Sequence, residues 1–251
     1  MADDLSELLE SFAGLSLAAL DERAALLKRV DNKYVVPREV FLDLADRLRD
    51  DHDVLDIDGR REFAYRTTYF ETPGLRCFTD HVEGRTPRFK VRTRVYEDSG
   101  QCMFEVKLKR SDDETDKRQV DYSAQDSDRL TASARQCLRE ALGDAGLDAP
   151  GGLEASLATS FRRLTFAARS GPQRLTCDLS VRLSSPGGEA VSLRPGLVLV
   201  ETKTEDGRSP ADAALTEMGY EAISLSKYRV GMSRVGPARA HGDQPGSEHF
   251  E

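Results

Sequence analysis

Polar and apolar positions alternate with period two along two neighbouring stretches, and these anchor the reading of the whole chain. In RFKVRTRVY, residues 88–96, Lys90, Arg92 and Arg94 fall on one face and Phe89, Val91, Thr93 and Val95 on the other. In FEVKLK, residues 104–109, Glu105, Lys107 and Lys109 oppose Phe104, Val106 and Leu108. Asp98-Ser99-Gly100 supplies turn chemistry between them, so the pattern predicts a two-stranded antiparallel hairpin. The same period predicts a strand over 26–36, where Arg29, Asp31 and Lys33 share a face before Pro37, and another over 197–204, where Glu201 and Lys203 do. Further strands are predicted at 54–57, 62–70, 117–123, 156–168, 174–183 and 190–193. Helical spacing predicts helices over 3–12, 16–24 with Ser16 as N-cap, 37–50, 75–82, 127–142, 209–218 and from Lys227 onward.

The count is eight to ten strands, mostly hairpin-connected, with helices at the edges. Apolar strand faces and apolar helix faces both need partners. A closed antiparallel β-barrel with helices packed outside satisfies both and turns the charged strand faces toward the lumen, an α+β architecture. The expected layout is an N-terminal helical segment over 1–25, one domain over 26–234, and a polar, Pro/Gly-rich tail over 235–251 expected to be disordered.

Charge gives that lumen a chemistry. The chain carries a formal net charge of -8 and a pI near 5.2, yet residues 85–110 hold eight Lys or Arg against three Asp or Glu. An ordinary half-buried hairpin turns its charged face to water. Here, however, Lys90, Arg92 and Arg94 lie opposite further cations and repel unless an anion sits among them. Guanidinium forks and lysine ammonium groups suit phosphate oxygens. A localised basic face in an acidic body argues against a general nucleic-acid binder and for a small or threaded anion. Clustered like charge also predicts that removing Arg92 and Arg94 together leaves the fold intact or more stable. Tyr65, Tyr69, Phe70 and Tyr96 are expected to be strand packing.

Cys77, Cys102, Cys137 and Cys177 stand at irregular spacing without a C-x-x-C pair, which indicates neither zinc nor a disulfide framework and suits a reducing cytoplasm. No apolar run approaches the ~20 residues that span a bilayer, so direct membrane insertion is not expected.

The motifs VDNKY at 30–34, YFET at 69–72, FKVRTRVYE at 89–97, FEVKLK at 104–109, Lys117-Arg118, SFRR at 160–163, RLTCD at 174–178, LVETK at 199–203 and SKY at 226–228 resemble the VTC domain. This is the polyphosphate polymerase domain of the vacuolar transporter chaperone family. It belongs to the triphosphate tunnel metalloenzyme, or CYTH-like, superfamily and also occurs as a bacterial stand-alone form. The resemblance spans about residues 26–234. It implies an antiparallel tunnel that binds a triphosphate and a divalent metal. It implies phosphate contacts from Lys33, Arg92, Arg94, Lys107, Lys117, Arg163, Arg174 and Lys227, with Lys90 and Lys203 beside them. It implies Glu201 as the ligand of Mn2+ or Mg2+. Glu105 is a second metal ligand, a base for water, or a salt-bridge partner of Lys107 or Arg92. Arg163 is preferred to Arg162 because the motif places its arginine two residues after Phe161.

The run Arg29-Val30-Asp31-Asn32-Lys33 stands where the related cyclase and thiamine triphosphatase branch has Glu-x-Glu-x-Lys. Loss of the first acid favours the VTC branch. Neither an SPX domain nor a membrane part accompanies the domain, so coupling to translocation is not expected. The implied activity is transfer of the ATP γ-phosphate to a growing polyphosphate chain, whose anionic terminus needs no base. Two alternatives stay open. One is hydrolysis of inorganic triphosphate or a nucleoside triphosphate, and the other is a non-catalytic module that binds polyphosphate or an inositol phosphate.

Overall fold

The computed structural model describes residues 2–23, 30–111 and 115–251. The start of the strand expected from residue 26, with Arg29, and most of the acidic loop at 112–116 lie outside the described residues. Two compact units are interleaved along the chain, and β8 (Glu154–Ala168) and β9 (Arg174–Ser184) each pass from one into the other.

The first unit comprises Met1–Phe63, Arg162–Ser180 and Leu193–Ser224. It contains α1 (Ala2–Glu10), β1 (Gly14–Leu15), α2 (Leu17–Arg23), β2 (Val30–Pro37), α3 (Arg38–Leu48), β3 (His52–Leu55), β11 (Leu197–Thr204) and α6 (Pro210–Glu217). Its sheet runs β2-β11-β9-β8, with β3 on β8 and β1 parallel to β3. Alternation decides what this sheet buries. Tyr34 and Val36 on β2, Val198 and Val200 on β11, Leu175 and Cys177 on β9, and Leu164 and Phe166 on β8 join one core. The apolar stripe of α3, Phe41, Leu44, Ala45 and Leu48, and Ala211, Ala214 and Leu215 of α6 complete it. Ser16 caps α2 as expected, accepting from the Ala19 N–H at 3.2 Å.

The second unit comprises Ala64–Phe161, Val181–Ser192 and Leu225–Glu251. It contains β4 (Phe63–Glu71), α4 (Arg76–Val82), β5 (Arg88–Tyr96), β6 (Gln101–Lys109), β7 (Thr115–Tyr122), α5 (Ala132–Gly143), β10 (Ala190–Ser192) and α7 (Lys227–Arg234). Its sheet runs β8-β4-β5-β6-β7. The β5–β6 hairpin has the alternation read from the sequence. Phe89, Val91, Thr93 and Val95 are buried, and Gly100 closes the turn at φ 71° with its N–H on the Tyr96 carbonyl at 2.8 Å. Helix α5 starts at Ala132 rather than Ser127 because Thr131 takes the cap and residues 124–126 form a 3-10 turn.

The expected antiparallel strands are present, eleven strands and seven α-helices among the described residues. Among the described residues β2 ends the sheet of the first unit and β7 that of the second, so neither sheet closes on itself. β7, TDKRQVDY, is charged and largely exposed, a composition that discourages further pairing. Residues 235–251, expected to be disordered, fold back instead. Glu251 exchanges backbone hydrogen bonds with Ser192 at 2.7 and 2.9 Å, and Phe250 and Ser247 are buried. An apolar anchor and a free strand edge outweigh the polar composition that suggested disorder.

Gly231 on α7 lies against buried Leu157, and a Cβ there would stand 2.5 Å from Leu157 Cδ1. Gly231→Ala is expected to destabilise the protein by about 1–3 kcal/mol, read as a lowered Tm. Combined with Leu157→Ala, the two costs should add to less than their sum, because the second change removes the clash of the first.

Candidate functional site

Each unit presents a charged face opposite its core. On the second unit the face is built by β4 to β7 in antiparallel register. Lys90 pairs with Lys107, Arg92 with Glu105 and Tyr69, Arg94 with Met103 and Thr67, and Lys107 with Lys117. Period two puts every one of these side chains on the same side of the sheet. Lys90, Arg92 and Arg94 are half-buried.

Glu105 lies at the centre of this face with its side chain 2% exposed. Its carboxylate holds the Arg92 Nε, lies 3.8 Å from the Arg94 guanidinium and 3.9 Å from the Lys117 ammonium. Burial works to raise its pKa, but Arg92, Arg94 and Lys117 prevail and hold it at about 2. Of the roles open to Glu105 from the sequence, the structure displays the ion pair, with Arg92 as chief partner. The same ion pairs argue against the expectation that removing Arg92 and Arg94 together leaves the fold intact or more stable. Those arginines neutralise a buried carboxylate, which would otherwise be stranded.

Two aromatic supports complete this face. Tyr65 stacks on Phe161 at 5.3 Å between centroids with rings 7° from parallel, and Arg94 lies over Tyr65 at 6.0 Å. Lys227, the first residue of α7, lies over Phe161 at 4.8 Å, so this platform seats a cation from a helix beside one from a strand. The second support is Tyr228, whose hydroxyl donates to the Glu71 carboxylate. Buried Glu71 also accepts the N–H groups of Thr72, Cys77 and Phe78 at 2.7, 3.0 and 2.8 Å, capping α4. Lys90 Nζ lies 5.2 Å above the Tyr228 ring and 3.0 Å from His81 Nε2 on α4. Sequence reasoning treated Tyr65 as packing and His81 as a surface or turn residue, whereas His81 is half-buried on α4, and it assigned nothing to Glu71 or Tyr228. YFET and SKY were conspicuous motifs, but their partners lie far away along the chain.

On the first unit the face is built by β2, β11, β9 and β8. Glu201 pairs with Lys33 and Thr176, and Lys203 with Asp31 and Arg174. Lys203 donates to Glu201 and, at 3.4 Å, to the Thr176 hydroxyl. Burial raises the Glu201 carboxyl, but Lys203, Lys33 and Arg163 outweigh it and hold it well below the usual carboxylate range. Burial draws the Lys203 amine below its ordinary range although Glu201 opposes the shift. Arg163 grips buried Asp178 with two bonds of 2.6 and 2.8 Å, while Arg162, on the opposite side of the strand, pairs with Glu62.

Behind this face Asp212 holds the strands in place. It accepts from the Tyr34 hydroxyl at 2.7 Å, the Asn32 amide at 3.1 Å and the Thr202 hydroxyl at 2.7 Å. These residues alternate with Lys33, Glu201 and Lys203. Of the sequence-predicted residues, Lys33, Arg163, Arg174, Glu201 and Lys203 thus belong to the first unit, and Lys90, Arg92, Arg94, Glu105, Lys107, Lys117 and Lys227 to the second.

The carboxylates fit a metal in part. Among the described residues no group of three His, Cys, Asp or Glu is placed to hold an ion, and Glu201 already engages Lys203. A hard cation at Glu201 would therefore draw its remaining ligands from phosphate oxygens and water.

Antiparallel sheets that set rows of half-buried cations around buried carboxylates have the chemistry to receive a polyanion. The VTC domain family model matches residues 28–235, and the chain belongs to that family. No curated protein sequence matches it. Among solved structures it is similar to HpAC1 from Hippeastrum, assigned as an adenylyl cyclase and described as having a dominant triphosphatase activity. That match has 17% identity, covers 83% of this chain and 96% of the other, and gives a TM-score of 0.50, a likeness of fold. The PH1012 protein of Pyrococcus horikoshii matches at 12% identity over 76% of this chain and 90% of its own, with a TM-score of 0.41.

Glu105→Gln should destabilise the protein by roughly 3 kcal/mol, since it breaks a buried ion pair and leaves Arg92 uncompensated. A carboxylate with a depressed folded-state pKa contributes stability that is present above its unfolded value and lost as pH falls. The wild type should therefore lose this contribution between about pH 4.5 and about 2. Chemical denaturation across that range should show a flatter acid limb for the variant.

Proposed function

We propose that this protein is a phosphotransferase that moves the γ-phosphate of ATP onto a polyphosphate chain. The observation that carries the reading is the row Lys90, Arg92 and Arg94 in register with Lys107 and Glu105, on a chain that belongs to the VTC family. Phosphoryl transfer asks a protein mainly for in-line positioning and charge neutralisation at the equatorial oxygens. Arg92 and Arg94 are held by Glu105, so their guanidinium planes are oriented before a ligand arrives. Lys107, Lys117 and Lys227 add point charges, and Lys33, Arg163, Arg174 and Lys203 do the same on the face of the first unit. The acceptor is a phosphate terminus, already anionic near neutral pH, so transfer needs no general base. A divalent metal, Mn2+ or Mg2+, supplies Lewis-acid neutralisation of the triphosphate when bound, with Glu201 as its protein ligand.

A second reading is hydrolysis of inorganic triphosphate or a nucleoside triphosphate. The triphosphatase activity named for HpAC1, a protein of the same fold, favours it. Binding of polyphosphate or an inositol phosphate without turnover uses the same cations. We place the protein in the cytoplasm. All four cysteines are free and buried, which suits a reducing compartment.

Incubation with ATP and Mn2+ or Mg2+, followed by phosphorus NMR and gel electrophoresis, tests the proposal. Long chains with ADP are expected. Phosphate as the sole product would replace the polymerase with a hydrolase, and binding without product would leave a sensor. Arg94→Ala combined with Lys107→Ala should weaken tripolyphosphate binding more than about tenfold by calorimetry, given about 1.5–3 kcal/mol for each hydrogen bond to a charged group. Glu201→Gln should keep anion binding and lose metal-dependent turnover; unchanged turnover would remove Glu201 from the mechanism.

A further inference from the structure

Lys227 reaches the charged face from a helix that cannot hold itself in place. α7 is eight residues long with Gly231 in its middle, and isolated helices of that length are marginal in water. Packing must therefore fix its first turn, where Lys227 lies over Phe161 at 4.8 Å. Residues 236–251 supply packing at both ends of the helix, and they lie outside the stretch 28–235 that the family model matches. At the C-terminal end the N–H groups of Gly236 and Ala238 donate to the Gly231 and Met232 carbonyls at 2.9 and 3.0 Å. At the N-terminal end Gly246 presses on buried Leu225, two residues before Lys227; a Cβ there would stand 2.7 Å from Leu225 Cδ1. Between the two ends the His241 ring lies 5.3 Å from Phe78 of α4, which meets Tyr228 edge-on at 6.3 Å. The segment is itself anchored. Gln244 and Ser247 are buried, with the Gln244 N–H on the Ser247 hydroxyl at 3.1 Å and the Ser247 N–H on the Gln244 carbonyl at 2.9 Å. Phe250 is 2% exposed, and Glu251 covers the edge of β10 through its two backbone bonds with Ser192.

We infer that residues 236–251 are a strap, anchored by Phe250 and the Glu251–Ser192 pair, that positions Lys227 for phosphate by clamping the first turn of α7. The inference rests on the phosphate reading above and adds positioning residues to it. Phe250 and Gly246 act through Leu225 and α7, not by contact with the ligand. The physical gain is pre-organisation. A lysine whose helix is held in place before the anion arrives loses less freedom on binding than one whose helix must be ordered at that moment. A loosened strap therefore costs affinity at Lys227 while leaving the cations of β5 and β6, which sit on a paired hairpin, where they are.

The test is calorimetry of inorganic tripolyphosphate binding to the full chain, without metal, with hydrogen exchange of the Ser192 amide reporting on the strap. Phe250→Ala should speed that exchange and weaken binding about tenfold, the share of one hydrogen bond to a charged group. Phe250→Leu keeps an apolar anchor and should bind within about twofold of the wild type. In a Lys227→Ala background Phe250→Ala should cost less than about twofold, because the contact it acts through is already gone. An equal loss in both backgrounds would make the strap merely structural and overturns the inference. Unchanged Ser192 exchange or unchanged binding in Phe250→Ala overturns it too. Should Phe250→Ala fail to fold, Glu251→Pro, which removes the amide that donates to Ser192, takes its place under the same criteria. Any of these overturning results, with the wild type binding, leaves the phosphate reading standing. Failure of the wild type to bind tripolyphosphate brings both down.

Discussion

The buried carboxylate of Glu105 is the constraint on which the charged face of the second unit depends. Four or five cations on adjacent strands at period-two spacing repel one another, and half-burial strengthens that repulsion by excluding water. One acid, 2% exposed, compensates part of it and fixes the positions of Arg92 and Arg94. The compensation is incomplete by count, since three cations share a single carboxylate. The surplus positive charge is what the proposed polyanion would neutralise, so on that reading fold stability and ligand affinity draw on the same charges.

The first unit meets the same problem with more acids. Asp178 clamps Arg163, and Glu201 holds Lys203, so two of its cations are oriented by neighbours on the same face. Asp212 acts from behind, fixing Asn32, Tyr34 and Thr202 and through them the strands that carry Lys33, Glu201 and Lys203. Such arrangements pre-organise donors before a ligand arrives, and pre-organised donors stabilise transferring charge most effectively.

Glu71 does comparable service in the second unit. By capping α4 and holding the Tyr228 hydroxyl it joins a strand and two helices beneath Lys90. The aromatic rings have more than a packing role there. Tyr65 and Phe161 form a stacked pair under Arg94 and Lys227, and Tyr228 lies beneath Lys90. Each ring offers an electron-rich face to a cation of the charged row or of α7.

The sequence by itself determined the strands, their two faces and the cation rows, because side-chain alternation in a strand is a local property readable from residues 88–109 without any partner. It also determined the family, through motifs that follow one another in order from VDNKY to SKY. Only the tertiary structure decided which acids meet which bases. Register placed Glu105 opposite Arg92, and folding brought Asp178 beside Arg163, an ion pair that the order of residues does not encode. The order of residues 235–251, and the meeting of His81 with Lys90 and of Glu71 with Tyr228, also waited on the fold. These contacts join residues from different elements, and no local pattern encodes a pairing whose partner is brought near only by folding.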